Sequence, residues 1–519
     1  MPTLDREDRV NQVTVSRVGD YLWGEKARGS YLAGVSVGLL FISLGGKEIW
    51  TLETRWASIV LQMLHRGDYL HPYLGGDAYY YKPLLSYWLM VASSWLTGGL
   101  NLWSLRLPSV LAALLSLYCT VQLGSRLVDR RTGMLAGWML ATTWYFVFWG
   151  RVASADMLNV TGTLLAVLWY VGHRNSNRFT DYTVFFLILF VASLCKGLTA
   201  VIVPLLVVAP DLVSQGRWRK HLNLRLPLGI LPGLVVYLFP FWASSQFGGE
   251  NYGQSGLNEV FTENLVRFFQ PFDTEGPVYT YLVYLPVYTL PWVVLLAPAI
   301  YSVGRRWSST SYEIRWLAIG CMLVFVFFTA SGARRSYYIL PLVPFALLFT
   351  AQWLVTQAPR VLRWSAGITA TSAALLLVVF GVLMPLYYSQ GGPPAFAKEV
   401  RQRAEELRPW SEWRFVILDE YKSQLYLEST RAFEYHPYIP GWQHIVSGEK
   451  LVTHWPVLRQ PNDNVIFITR SDYAPLVASV LTNHQVVTTP LTFGRRWFNQ
   501  PDKRAGVAFI PPFVSSKGE

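Results

Sequence analysis

WTLETRWASIVLQMLHRGDYLHPYLGGDAYYYKPLLSYWLMVASSWLTG (residues 50–98) governs how the rest of this chain must be laid out. Its second half, 83–98, is apolar enough to be mistaken for a membrane crossing, and the side on which every later loop lies depends on it. Outside this stretch, apolar runs mark about eleven spans, near 30–48, 106–127, 133–150, 157–172, 181–195, 197–213, 226–245, 279–303, 316–331, 338–356 and 365–388. Loop charge settles the ambiguous run. If 83–98 lies along the outer surface, the loops with Arg130 and Arg131, Arg174 and Arg178, the run RWRKHLNLR (217–225), Arg305 and Arg306, and Arg360 and Arg363 all share one side with the N-terminus. If it crosses, they all move outside, against the rule that basic loops stay in the cytoplasm. The stretch therefore reads as a juxtamembrane or re-entrant helix, with 49–105, 150–157, the turn at Lys196, 246–278, 331–337 and the tail from about 389 on the outer face.

Composition agrees with a membrane protein. Of 519 residues, 52% are apolar and only 15% charged, where a soluble protein carries about a quarter charged residues. Aromatics reach 15%, suited to the headgroup level. A formal charge of +12 would suggest nucleic acid in a soluble chain, but here the basic residues sit in short loops between apolar runs. Cys119, Cys195 and Cys321 fall within apolar stretches and show neither metal nor disulfide spacing. Residues 1–29 are polar, and the first apolar run, from Ser30, reads as an uncleaved signal anchor in an N-in orientation.

The chain thus divides into a cytoplasmic segment (1–29), an all-α polytopic domain (30–388) and a small α/β extracytoplasmic domain (389–519). In the last, GGPPAF (391–396) reads as a linker, KEVRQRAEELR (398–408) and YAPLVASVL (473–481) as helices, and RFVILDE (414–420), NVIFITR (464–470) and GVAFIPP (506–512) as strands. His436, His444 and His454 are irregularly spaced there and read as surface residues.

The outer segments hold charges that need a partner or a function at this depth. Glu53 and Arg55 open an amphipathic interfacial helix whose apolar side is Trp56, Ile59, Val60, Met63 and Leu64. Glu53 suits a helix-start cap paired with Arg55 as well as it suits chemistry. Lys82 can snorkel to the headgroups or bind an anion. Asp156 can be a helix cap. Lys196, Arg267, Arg334 and Arg335 stand on the face that ought to be depleted in cations. Drawn from four separate segments, these cations with two acids describe a surface pocket fit for a lipid phosphate, with a carboxylate placed to act as general base on a hydroxyl.

The same residues carry a family resemblance. ETRWA, RGDYLHPYL and YYYKPLLSYW, followed in order by ADMLNV, CKGLTAVIVPLL, ENLVRFFQPF with GPVYTYLVYLPVYTLPW, and RRSYYILPLVPFALL, resemble the C-type, polyprenyl-phosphate-sugar-dependent membrane glycosyltransferases. That group includes the bacterial lipid A aminoarabinose transferase and is related to the protein O-mannosyltransferases. The resemblance spans about residues 30–356. It implies transfer of a sugar, with inversion, from a polyprenyl-phosphate carrier to a glycolipid such as lipid A, a glycan or a protein on the outer face of the cytoplasmic membrane. It implies Glu53 as first choice for the base with Asp156 assisting, and Lys82 and Arg267 on the carrier phosphate. Arg55, Lys196, Arg334, Arg335, Tyr337 and Tyr338 would complete the substrate-binding set. Two departures stand out. Many relatives carry an Asp-Glu pair where this chain has Leu52 and Glu53. The metal-binding acid and histidine of the lipid A type are replaced by Tyr81 and by a stretch near Thr274 and Glu275 without histidine. His65 and His71 read as polar surface. No cofactor is required and a divalent metal is not favoured. An oligosaccharide transferase with a diphosphate carrier is the nearest rival. A transporter ranks lower because the charges gather at outer helix ends, not at the midplane.

Overall fold

The computed structural model describes residues 21–23, 29–47, 49, 51–74, 77–248, 252–270, 276–357, 359–389, 392–418, 442–446, 464–471, 474–481, 483–488 and 506–512. Among these, six helices are long and apolar enough to cross a membrane: Leu102–Leu127, Phe179–Lys196, Arg225–Gln246, Tyr312–Ala330, Ser336–Val355 and Val361–Tyr388. The pair Thr280–Tyr288 and Val293–Arg305, bent by 115° at its break, is either a broken seventh span or a re-entrant loop. The about eleven expected spans are not reached by length and apolarity alone. Gly29–Phe41 and Thr199–Ser214 are apolar but short. The run 133–150 is broken into Arg130–Ala141 and Trp144–Gly150, and Asp156–His173 carries Asp156, Asn159, Thr161 and Thr163 along its length.

The helix within the opening stretch is Leu85–Leu96, of 12 residues. That is about 18 Å of helix, too little for a hydrocarbon core of roughly 30 Å. It lies against Thr51–Arg66 as a juxtamembrane pair. Trp56, Ile59, Val60 and Met63 are buried with Tyr87, Met90 and Val91, and the Trp56 and Tyr87 rings stand 4.8 Å apart.

Hydrogen bonds lock this pair to the bundle. Pro108 has no N–H to give the Ser104 carbonyl one turn earlier in Leu102–Leu127, and the Ser93 hydroxyl donates to that carbonyl instead. Asn101 and Ser104 complete a capping box at the same helix start. The Ser86 hydroxyl donates to the Cys195 carbonyl at 3.1 Å, which brings the loop bearing Lys82 beside the end of Phe179–Lys196. Farther down, Leu102–Leu127 and Arg130–Ala141 meet at Gly124 and Gly133, where a Cβ on Gly124 would lie 2.6 Å from the Gly133 Cα. Small residues permit such approach between membrane helices.

His71 is buried, not at the polar surface. Its Nδ1 meets the Asp68 carboxylate at 2.8 Å and its Nε2 the Ser244 carbonyl at 3.1 Å, tying the first outer loop to Arg225–Gln246.

The tail carries a mixed sheet in the order 442–446, 414–418, 465–470, 506–510, 485–488. The first three strands run parallel to one another and the last two antiparallel to their neighbours. Helix Gly392–Glu405 covers it through Phe396, Ala397, Val400 and Ala404, against Ile466, Ile468, Val487, Ala508 and Ile510. Leu61 of the juxtamembrane helix belongs to this same apolar cluster. Of the tail histidines, His436 and His454 lie outside the described residues.

Candidate active site

Segments from across the chain converge on a cavity of about 430 Å³. Its walls are built from helical stripes. Thr51–Arg66 contributes Leu52, Arg55 and Trp56, spaced three and four apart on one face. Asp156 and Asn159 come one turn apart from the start of Asp156–His173. Val260, Glu263, Asn264, Arg267 and Phe268 form a third stripe, which passes through a π-helical turn at Thr262–Val266; such turns recur at functional sites. Tyr79 to Pro83 and Arg335, Tyr337 and Tyr338 close the remaining sides, with Lys196 at the end of its helix.

The wall facing Lys196 is held by Asn264. Its side-chain oxygen accepts from the Leu198 N–H at 3.0 Å, supplying a partner for the exposed start of Thr199–Ser214. Gly197, at φ +97°, lies so close that a Cβ would meet this same Asn264 oxygen at 3.1 Å, so both conformation and space favour glycine there.

Of the residues singled out in the sequence, Arg55, Lys82, Asp156, Lys196, Arg267, Arg335, Tyr337 and Tyr338 line this one cavity. Glu53 and Arg334 do not. Glu53 is two residues from Arg55 and therefore points about 200° away around the helix. It is 1% exposed and forks onto Arg106, whose Nε and Nη2 donate to its two oxygens at 2.8 Å each. The Ala153 N–H donates to it at 2.8 Å as well. Burial alone would raise its pKa, but the Arg106 charge and hydrogen bonds hold the carboxyl below its usual range. Glu53 is thus a fixed counter-ion, and its expected pairing with Arg55 is replaced by one with Arg106. Arg334 spends its guanidinium on the Thr329 and Gly276 carbonyls at 2.9 and 2.7 Å. Arg151 does likewise on the carbonyls of Leu39, Leu40 and Ile42 at the end of Gly29–Phe41. Several outer cations therefore clamp backbone instead of binding a ligand.

Inside the cavity the charges are arranged in two groups. Lys196 pairs with Asp156 and lies 5.2 and 5.5 Å from the Tyr337 and Tyr338 ring centres. The Tyr337 hydroxyl accepts from Arg335 Nη1 at 3.0 Å. In the second group, a single oxygen of Glu263 accepts from Lys82 Nζ at 2.6 Å and from Arg267 Nη1 at 2.8 Å. Burial, set against the attraction of Glu263, brings the Lys82 pKa down to about 8. The Glu263 carboxyl, which burial would raise, is held low by Lys82 and Arg267. Five cations face two carboxylates across this space, so the cavity carries a cationic surplus.

Glu263, Asn264 and Asn159 were not singled out in the sequence, although Glu263 stands four residues before Arg267, the spacing of a helical ion pair. The Asn159 side-chain oxygen is buried without a hydrogen-bond partner among the described residues, leaving it for a ligand donor. A second, aromatic cavity of about 500 Å³ adjoins the first, sharing Leu52 and Tyr337 and otherwise lined by Trp144, Tyr145, Phe148, Trp149, Tyr284, Tyr288, Ser336 and Met384.

For a metal the residues present are a poor fit. Among the described residues no three His, Cys, Asp or Glu side chains cluster, and both cavity carboxylates are already taken up by cations. Thr274 and Glu275 lie outside the described residues.

A polytopic bundle with a cationic cavity at one set of helix ends has the build of a membrane protein that can hold an anion at that depth, and comparison with known proteins sharpens this. Residues 81–243 match the family model described as dolichyl-phosphate-mannose-protein mannosyltransferase. The undecaprenyl phosphate-alpha-4-amino-4-deoxy-L-arabinose arabinosyl transferase of Pectobacterium carotovorum subsp. carotovorum (strain PC1) is 30% identical over 405 residues, 73% of this chain and 71% of that protein. Its counterpart in Pseudomonas paraeruginosa (strain DSM 24068 / PA7) is 30% identical over 382 residues, 70% of this chain and 66% of the relative. The fold superposes on the crystal structure of ArnT from Cupriavidus metallidurans bound to undecaprenyl phosphate with a TM-score of 0.69, over 94% of this chain and 98% of that one, at 18% identity. This chain belongs to the ArnT-like family of polyprenyl-phosphate-sugar membrane glycosyltransferases.

Proposed function

We propose that this protein transfers a 4-amino-4-deoxy-L-arabinose-type pentose from undecaprenyl phosphate to an envelope acceptor, lipid A foremost, at the outer face of the inner membrane. The N-terminus then lies in the cytoplasm and the tail in the periplasm, the arrangement that the loop charges favour. The donor follows the printed names of the relatives, and lipid A follows the resemblance in the outer-loop motifs. The observation that carries the reading is the convergence of Lys82 and Arg267, from separate loops, on one anionic oxygen in the cavity that also holds Asp156.

In this scheme Lys82 and Arg267 hold the carrier phosphate and stabilise the charge that builds on it as the bond from the sugar's anomeric carbon to phosphate oxygen breaks. The acceptor oxygen attacks that carbon from the opposite face, which inverts it. Asp156 is the catalytic carboxylate and takes the acceptor's proton. Its pairing with Lys196 fixes its orientation. Asn159, one turn along, accepts from a sugar hydroxyl. Arg55, with no carboxylate partner among the described residues, and Arg335 serve an anionic acceptor, while the aromatic cavity takes its apolar part. Leu52 faces the cavity where many relatives carry an acid, so the base moves to Asp156. Glu53 is left out of this scheme because Arg106 donates to both of its oxygens.

The test is transfer by the purified protein from undecaprenyl phosphate-aminoarabinose to lipid A, read by mass spectrometry, with thermal stabilisation by undecaprenyl phosphate and undecaprenyl diphosphate measured alongside. Product formation with stabilisation by the monophosphate supports the reading. Stabilisation by the diphosphate alone, without transfer, sinks it in favour of an oligosaccharide transferase.

A further inference from the structure

We propose that Glu263 is an internal counter-anion that fills the carrier-phosphate seat when the enzyme is empty and retakes it to expel the phosphate product. This rests on the reading of Lys82 and Arg267 as the phosphate holders.

The seat is formed by two cations whose side chains are 19% and 9% exposed. Two such charges at that depth are costly without an anion between them. Glu263, itself 9% exposed, provides one by placing a single oxygen within hydrogen-bond range of both. A phosphate oxygen bound to Lys82 and Arg267 together would need that same position, so carboxylate and phosphate exclude each other there.

The exchange is mechanically short. Glu263 and Arg267 are four residues apart on one helical segment, whereas Lys82 arrives from the first outer loop. Glu263 can release Lys82 while staying near Arg267, and the π turn at Thr262–Val266 gives that segment a loosened backbone at the right place. Glu259, one turn earlier, presents a second carboxyl, and like charges four apart repel, which biases Glu263 toward the cations.

The charge of the ligand changes during the reaction. The donor is a phosphodiester with one negative charge. The carrier left after transfer is a phosphomonoester with about −1.5 to −2 near neutral pH. A retained carboxylate beside the seat therefore repels the product more than the donor, and so promotes release of the spent carrier.

Binding of undecaprenyl phosphate to the intact, purified protein tests this, with a methyl phosphodiester of the same polyprenol and neutral undecaprenol as companion probes. Glu263→Gln is expected to bind undecaprenyl phosphate about tenfold more tightly than the unaltered protein (one charge repulsion removed), and the diester by a smaller factor. It should also show stronger inhibition by undecaprenyl phosphate during repeated turnover. Glu263→Asp, which keeps the charge but cannot span both cations, should shift binding in the same direction by a smaller factor, and it carries the test if the Gln variant fails to fold. Equal or weaker monoester binding by a folded variant overturns the proposal and makes Glu263 a fixed support for the two cations. If the unaltered protein binds undecaprenyl phosphate no better than undecaprenol, the proposed function itself falls, and this inference with it.

Discussion

The two ends of the helix bundle treat buried charge in opposite ways. At the end away from the cavity, Asp211 is fully buried and accepts from the Tyr170 and Tyr312 hydroxyls at 2.7 and 2.6 Å. Arg174 and Arg217 approach it at 3.5 and 3.4 Å, and Arg174 also forks onto Glu313. Two acids meet two arginines there, on helix ends packed together. At the outer end, cations outnumber acids and face open space. Depth and residue type are alike in the two places. Charge balance and room are not, and these separate a structural network from a site that awaits an anion.

Four substitutions or titrations would break or sharpen this contrast. The largest effect belongs to Asp156→Asn, which should lower transfer by about 10²- to 10⁴-fold while undecaprenyl phosphate still binds; near-normal transfer rates would remove Asp156 from the role of base. Next comes Glu53→Gln. Although it lies at the outer end, its effect should be structural, because leaving Arg106 buried without its counter-charge costs about 3–5 kcal/mol. A normal melting temperature with transfer selectively lost would return Glu53 to the chemistry. Asp211→Asn should lower the melting temperature somewhat less, since Arg174 keeps Glu313, with turnover per folded molecule unchanged. A specific loss of transfer there would erase the distinction between the two ends.

The smallest effect is a titration. Lys82, brought down to about 8, is charged below that pH and neutral above it. Undecaprenyl phosphate affinity should therefore fall as pH rises through about 8, well before an ordinary lysine near 10.4 would lose its proton. Lys82→Arg should move that alkaline limb upward, and an unmoved limb would assign it to another group.

The outer cations were legible because they broke a charge rule, and Lys82, Lys196, Arg267 and Arg335 do share a cavity. What the rule could not tell was which side chains face inward. That needed helix geometry. Arg55 and Leu52 share a face that Glu53 cannot, and the spacing of Val260, Glu263, Asn264 and Arg267 placed an acid among the cations without any charge anomaly to announce it. Arg106 is hidden in the sequence for a different reason. It stands at the edge of an apolar run, where it reads as part of a span, although an arginine at such depth needs an anion, and that anion is Glu53. Fewer helices qualify as spans by length and apolarity than the apolar runs suggest because those behind the cavity are short, interrupted or studded with hydroxyls that bond within the bundle, such as Ser116 with Thr161 at 2.8 Å.

Apolar packing couples the two halves of the chain. Leu61 is buried in the core of the tail, while Leu52 and Arg55, on the same rigid helix, face the cavity. A protease nick or a shortened chain that released the tail would strip a leucine bare and loosen the very helix whose far side shapes the reaction chamber. Catalytic competence should therefore fade with tail detachment even though no described tail residue lines the cavity. The tail would work as a buttress, and the two parts would have to be inherited, expressed and engineered together.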